Sequence, residues 1–311
     1  FSLAGLPVYT FPGQENRQIL MGILGAVQNP DGQYFYISYP PLGFWIPYFF
    51  FEWFQVQYNL SAITAFNLFI CLLNSFLIYK ILNFNQNKTY ISACLALIYL
   101  TFPVNFFFHG RFYFVDSLVN LWILAFYWYY LQFTSTNKKL FLGMMLFFLM
   151  LASLTEWLGF LIPTGVLVTT QANIQSLKKN AGKIAAMWLV MLISGISILF
   201  LYSQINGFPS LWEALSNRFQ VRSGLQTQIS ENQMGLFSMQ SWLQLASFFK
   251  SSFSLFWIPL IAFFMFYIPL VFRKIVFLSW IIVILHVIVL FNFNCRHELG
   301  MLKWAIPIIL T

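Results

Sequence analysis

When the apolar segments of this chain are laid out as alternate crossings of a bilayer, its charges sort by sign. The turns on one side hold Lys80, Lys88, Lys138, Lys139, Lys178, Lys179, Lys183, Arg273 and Lys274, and no acid falls among them. The other side receives every carboxylate, Glu15, Asp31, Glu52, Asp116, Glu156, Glu213, Glu231 and Glu298, together with Arg17, Arg111, Arg218, Arg222, Lys250, Arg296 and Lys303. Lys and Arg favour cytoplasmic turns, so the acid-free side is expected to face the cytoplasm. Chemistry is then to be sought on the outer face.

Composition leads to the same class of fold. A chain that is 60% hydrophobic and 8% charged, with 39 Phe in 311 residues, carries more apolar side chain than a soluble core can hide. The expected fold is all-α, a polytopic transmembrane helical bundle with interfacial helices in the outer loops. The net charge of +8 resides mostly in the cytoplasmic anchoring set, in short turns and on no single stripe, which argues against a nucleic-acid partner. Of three cysteines, Cys71 and Cys94 lie inside apolar segments, so no disulfide framework is expected. The chain starts at Phe1 on the outer side and stops at Thr311 inside an apolar run. Residues 1–311 are therefore read as one membrane domain that lacks a preceding helix and a C-terminal part.

Residues 60–82, 89–108 and 117–133 are each close to the ~20 residues that a crossing needs. Residues 140–173 are too long for one crossing and are interrupted at Thr155, Glu156 and Trp157, with Gly159 and Pro163 following, which predicts a hairpin with Glu156 at its outer tip. Segments 184–203, 252–272 and 275–292 and a last one from 299 complete nine spanning or partly spanning pieces. No internal repeat is visible, so the inverted-repeat design of many transporters finds no support.

Two outer loops are long enough to roof a site. In residues 1–58, the aromatic stretch Phe44 to Phe54 suits a helix at the membrane interface. In residues 204–250, Ser210 and Glu213 have the spacing of a capping box, starting a helix with Leu211, Leu215 and Phe219 on one face. Arg218 and Arg222, one turn apart, would project from it together.

In order along the chain stand Glu15 and Arg17, then Tyr39-Pro40-Pro41-Leu42 before an aromatic helix, then Arg111 and Asp116, then Leu154-Thr155-Glu156-Trp157. This ordered set resembles the C-type glycosyltransferases that use lipid-phosphate sugars. The superfamily includes the dolichyl-phosphate-mannose protein mannosyltransferases and the bacterial aminoarabinose transferase of lipid A. The resemblance implies an enzyme that moves a sugar, with inversion, from a polyprenyl-phosphate carrier to an acceptor on the periplasmic or luminal face. It implies membrane lipids as neighbours and a bacterial inner membrane in preference to the endoplasmic reticulum.

The resemblance also assigns roles. Glu15 and Asp116 are the catalytic candidates, and Arg17, Tyr39, Arg111, Glu156, Arg218, Arg222, Arg296, His297 and Glu298 the substrate-binding ones. The chain departs from the family where the usual base, an Asp, is replaced by Gln14, which cannot accept a proton; Glu15 is the carboxylate beside it. Tyr39 replaces a Lys or His before the Pro-Pro-Leu, and Glu156 stands where many members carry Lys.

Plainer roles exist for the same residues. Glu15 and Arg17 could be solvated loop charges, Asp116 a helix N-cap, and Arg218 and Arg222 contacts to anionic headgroups. Glu156 is costly at membrane depth unless it meets a wet cavity. His297 with Glu298 has some metal-ligand character, so the cofactor is unassigned and a divalent metal stays open. His286, alone in an apolar segment, reads as a packed or hydrogen-bonded residue. Two alternative functions remain: a lipid or solute transporter or flippase without covalent chemistry, and a degenerate member that binds the carrier lipid without turnover, for which Gln14 and Tyr39 speak.

Overall fold

The computed structural model describes residues 6–8, 26–32, 34–57, 59–84, 89–109, 115–170, 174–224, 238–253 and 270–311. Gln14, Glu15, Arg17 and Arg111 lie outside them. The helices are α1 (Leu42–Trp53), α2 (Leu60–Leu82), α3 (Thr89–Thr101), α4 (Pro103–His109), α5 (Val115–Thr136), α6 (Lys139–Thr155), α7 (Ile162–Thr170), α8 (Ile174–Ser223), α9 (Met239–Phe253), α10 (Leu270–Val289), α11 (Phe291–Arg296) and α12 (Ala305–Leu310). Two 3₁₀ stretches, Trp157–Leu161 and Glu298–Trp304, precede α7 and α12.

The protein is helical, and three helices are long and apolar enough to cross a membrane: Leu60–Leu82, Asn180–Ser223 and Phe272–Val289. Each turns large apolar side chains outward, among them Leu72 and Phe76 on α2, Leu192 and Phe200 on α8, and Ile284 and Ile288 on α10. Such bands would drive association in water. Against hydrocarbon they need no partner.

α5 is apolar all round through its middle, Leu121–Leu131, and is buried on almost every side, as such a helix must be. Asn74 Nδ2 on α2 donates to its Ser117 carbonyl at 3.2 Å, and its own Asn120 Nδ2 donates to the Leu302 carbonyl at 3.1 Å. The 22 residues of α5 span about 33 Å at ~1.5 Å per residue. At its first turn lies Asp116. Towards its far end, Lys80 Nζ sits 5.2 Å from the Trp128 ring centroid and Lys183 Nζ 4.5 Å from that of Phe133. Asp116 thus stands at one end of α5, and Lys80 and Lys183 meet the helix towards the other.

Several elements differ from the sequence expectation. The 89–108 segment breaks between α3 and α4, because Pro103 lacks the N–H that would continue the helix. The first outer loop contains a three-stranded antiparallel sheet that hydropathy did not announce. Its order is β1 (Leu6–Val8), β3 (Tyr34–Tyr36), β2 (Ala26–Gln28), with Leu6 and Ala26 both paired to Tyr36. The second outer loop is largely helix, since α8 resumes after a kink and α9 follows. At the kink Asn206 leaves helical dihedrals and Gly207 takes φ 74, ψ 164, a region essentially reserved for glycine. Helix resumes before Ser210, with Pro209 in its first turn where no N–H is missed, so Ser210 and Glu213 do not form the expected start. The expected apolar face is present in part: Leu211 is buried and Leu215 half-buried, while Phe219 is exposed.

The break after α6 falls where the sequence placed it, and its tightness depends on Gly159. A Cβ there would lie 2.4 Å from the Ser153 backbone nitrogen and 2.5 Å from the Ala152 carbonyl carbon. Gly159→Ala must push backbone from backbone. It is expected to lower stability by roughly 1–3 kcal/mol, as overpacking does, read as a lower melting temperature in detergent. An unchanged transition would mean that the two segments are not in contact.

Candidate functional site

The chain closes on itself around the Lys303 ammonium, in the second 3₁₀ stretch. Its Nζ lies 2.8 Å from Asp116 Oδ1, 3.0 Å from His286 Nε2 and 3.5 Å from Glu156 Oε1. An ammonium has three N–H donors, and here they face three acceptors. Asp116 comes from the first turn of α5, Glu156 from the end of α6, and His286 from the last turn of α10. All four residues are almost inaccessible, between 1% and 2% exposed. The second oxygen of Glu156 accepts from the Leu158 N–H at 2.7 Å, so the carboxylate also caps the first 3₁₀ stretch. The Asn294 amide nitrogen, which donates to the Leu290 carbonyl at 2.9 Å, lies 3.4 Å from His286 Nδ1.

Beside this cluster stand two arginines. Arg222 is 5% exposed; its Nη1 donates to the Ser38 carbonyl at 3.4 Å, and its guanidinium lies 5.0 Å from the Tyr39 ring centroid and 4.9 Å from that of Phe293. Trp157 Nε1 donates to the same carbonyl at 2.8 Å, and the Tyr202 hydroxyl donates to the Tyr39 carbonyl. The segment Ser38–Tyr39 is thereby pinned between α8 and the first 3₁₀ stretch. Loss of hydration, and then the nearby Asp116 carboxylate, raise the Tyr39 phenol far above its ordinary value, with Arg222 opposing them. It is a neutral donor. Among the described residues neither arginine has a carboxylate within ion-pairing distance, and the Nε of each lacks a hydrogen-bond partner.

Both arginines line a cavity of about 450 Å³. Its apolar walls are Trp157, Phe160 and Leu161 from the break after α6, Trp212, Leu215 and Phe219 from α8, and Val289 with Leu290 beyond His286. Trp212, Phe219 and Val289 are also exposed on the outside, so the apolar wall continues onto the protein surface. Arg218, Arg222, His286, Ser38 and Ser216 supply the polar lining. Such a cavity suits a ligand with one anionic group and an apolar tail.

Of the residues singled out by the sequence, Asp116, Glu156, Tyr39, Arg218 and Arg222 are brought into this one region. Asp116 spends its carboxylate on Lys303, beyond any role as a cap. Glu156 is at the expected break but is not at a wet tip; the ammonium and imidazole, in place of water, offset its burial. Glu298 faces elsewhere, accepting from Ser251 and, at 3.5 Å, from Ser252 on α9. Arg296 and His297 are exposed, with the His297 ring 4.9 Å from that of Phe293. Among the described residues no group of three or more His, Cys, Asp or Glu is placed to hold a metal ion. Between the two carboxylates and the imidazole sits Lys303 instead.

Lys303 is the member to which sequence reasoning gave no role, whereas His286, read there as a packed or hydrogen-bonded residue, is buried beside it. A usable signal existed: a lone Lys inside an apolar run needs an acid partner, and Asp116 and Glu156 stood at segment ends on the same side. Comparison of the chain with protein-family profiles, with curated proteins and with solved structures returns no match.

Proposed function

We propose that the protein is a multi-pass membrane glycosyltransferase that moves a sugar from a polyprenyl-phosphate carrier to an acceptor on the periplasmic or luminal face, in a bacterial inner membrane. The observation that carries this reading is the apolar cavity lined by two arginines that, among the described residues, have no carboxylate partner. An anionic headgroup would relieve the repulsion between Arg218 and Arg222 and satisfy their open N–H groups with charge-assisted hydrogen bonds. The prenyl chain would lie along Trp157, Phe160, Trp212 and Phe219 and pass out to the bilayer over the exposed part of the wall. In the transfer step the bond between sugar and phosphate breaks and charge grows on the departing phosphate, where fixed guanidinium groups act most strongly. The acceptor hydroxyl gives its proton to a carboxylate. Glu15 takes that part by its position in the resembling family, and Asp116, held by Lys303 behind the His286 wall of the cavity, orients the acceptor. The helices would form a polytopic bundle with α1 and the 208–223 half of α8 at the outer interface.

Mass spectrometry of lipids co-purifying with the protein tests the donor directly, and the Arg218→Ala, Arg222→Ala double variant tests the site. Hydrogen bonds to charged groups contribute about 1.5–3 kcal/mol each, so the double variant is expected to weaken carrier binding on the order of 100-fold or more. Unchanged binding removes α8 from the site. One observation favours a second reading, a transporter or flippase: four ionisable side chains buried together in a helical membrane protein often mark an ion or proton path. In proteoliposomes, carrier that changes leaflet without losing its sugar would support that reading against transfer.

A further inference from the structure

The cavity's polar groups are few and mostly engaged. The Ser38 carbonyl already accepts from Trp157 Nε1 and Arg222 Nη1, and His286 turns its Nε2 to the Lys303 ammonium. Among the described residues, what the lining offers a ligand is the two guanidinium groups of Arg218 and Arg222 and the Ser216 side chain, set in apolar walls. The several hydroxyls of a sugar would lose water there without finding partners, at a cost for each. A phosphate meets the arginines, and a hydrocarbon chain meets the rest.

Volume limits how much of that chain can enter. A dry apolar cavity of about 150 Å³ takes one benzene, about six carbons. On that scale this cavity, at about 450 Å³, holds roughly 18 non-hydrogen atoms. A phosphate group uses about five of them, which leaves about 13 carbons, between two and three isoprene units. Beyond that point the chain leaves over Trp212, Phe219 and Val289, whose exposure marks the open side of the cavity. There it lies in hydrocarbon whether or not the protein is beside it, and lipid tails are as apolar as the side chains they would touch.

We infer that the cavity seats the phosphate and the first two to three isoprene units of the carrier and no more, so that the protein selects a prenyl phosphate by its head end and does not discriminate tail length beyond about 15 carbons. The sugar stays outside these walls, on the far side of the phosphate from the tail. Carriers that differ only in how many units follow the third present the same surface to the protein.

This rests on the reading of the cavity as a site for a prenyl-phosphate carrier, and the test separates the two. Undecaprenyl phosphate bearing a diazirine on its second isoprene unit, or on its eighth, is incorporated with the protein into phosphatidylcholine nanodiscs and photolysed, and labelled peptides are identified by mass spectrometry. The second-unit probe is expected to label Trp157, Phe160 or Leu161, and the eighth-unit probe to label phospholipid in place of that wall. Unlabelled farnesyl and undecaprenyl phosphates, counted per membrane lipid, are expected to compete with the second-unit probe within about threefold of each other. Wall labelling by the eighth-unit probe equal to that by the second, or an advantage of about tenfold or more for undecaprenyl phosphate, overturns the length limit and leaves the carrier site standing. Absence of wall labelling by the second-unit probe, where the parent binds undecaprenyl phosphate and the Arg218→Ala, Arg222→Ala double variant does not, overturns the seating of the tail alone. Failure of undecaprenyl phosphate to bind the parent overturns both.

Discussion

Lys303→Met is expected to destabilise the fold by about 3–5 kcal/mol, the usual cost of removing one partner from a buried ion pair. That is a large part of a typical total of about 5–15 kcal/mol. The side chain itself is replaced by one of similar shape, so the loss is electrostatic. Asp116 and Glu156 stay buried, and the charge that lay 2.8 Å from one and 3.5 Å from the other is gone. Thermal unfolding in detergent should show a strongly lowered transition, or little folded protein at all. The triple variant Asp116→Asn, Glu156→Gln, Lys303→Met removes the charges together and should recover most of the stability, because replacing an entire buried ionic group is often close to neutral. If Lys303→Met melts with the parent, the two carboxylates do not depend on the ammonium and the cluster is misread.

The second large effect concerns the transfer step. On the proposed reaction, Glu15→Gln is expected to lower sugar transfer by about 10²- to 10⁴-fold, the usual contribution of a general base, with folding and carrier binding retained. Gln14→Asp, which restores the residue type of the resembling family, should leave transfer unchanged or raise it. Asp116→Asn should fall between them if Asp116 orients the acceptor. Transfer by Glu15→Gln at the parental rate would move the base elsewhere. A parent inactive with any polyprenyl-phosphate sugar, alongside an active Gln14→Asp, would identify a carrier-binding protein that has lost its chemistry.

Much of the fold is legible without coordinates because hydropathy acts locally. A run such as 60–82 satisfies its backbone within itself, and in hydrocarbon little else can. The interruption at Glu156, the aromatic helix after Pro41 and the shared direction of Arg218 and Arg222 are likewise local, set by composition and by helical spacing. The small sheet was invisible for the opposite reason. Strands of three residues carry no periodicity to detect, and β1 pairs with β3 across some thirty positions. Helical structure in 208–223 followed from its spacing, whereas its start did not, since Gly207 and Pro209 set the kink in place of the Ser210 and Glu213 pair.

What the sequence by itself determined is the helical character of the apolar segments and the placing of Asp116 and Glu156 at their ends. Both follow from the cost of placing unpaired charge or open backbone in an apolar phase, and that cost is paid residue by residue along the chain. Tertiary structure alone decided which charges meet. Residues 116, 156, 286 and 303 share no local pattern. Their pairing follows from α5, α6, α10 and the second 3₁₀ stretch ending at one place, where two carboxylates and an ammonium can remain buried only in each other's company.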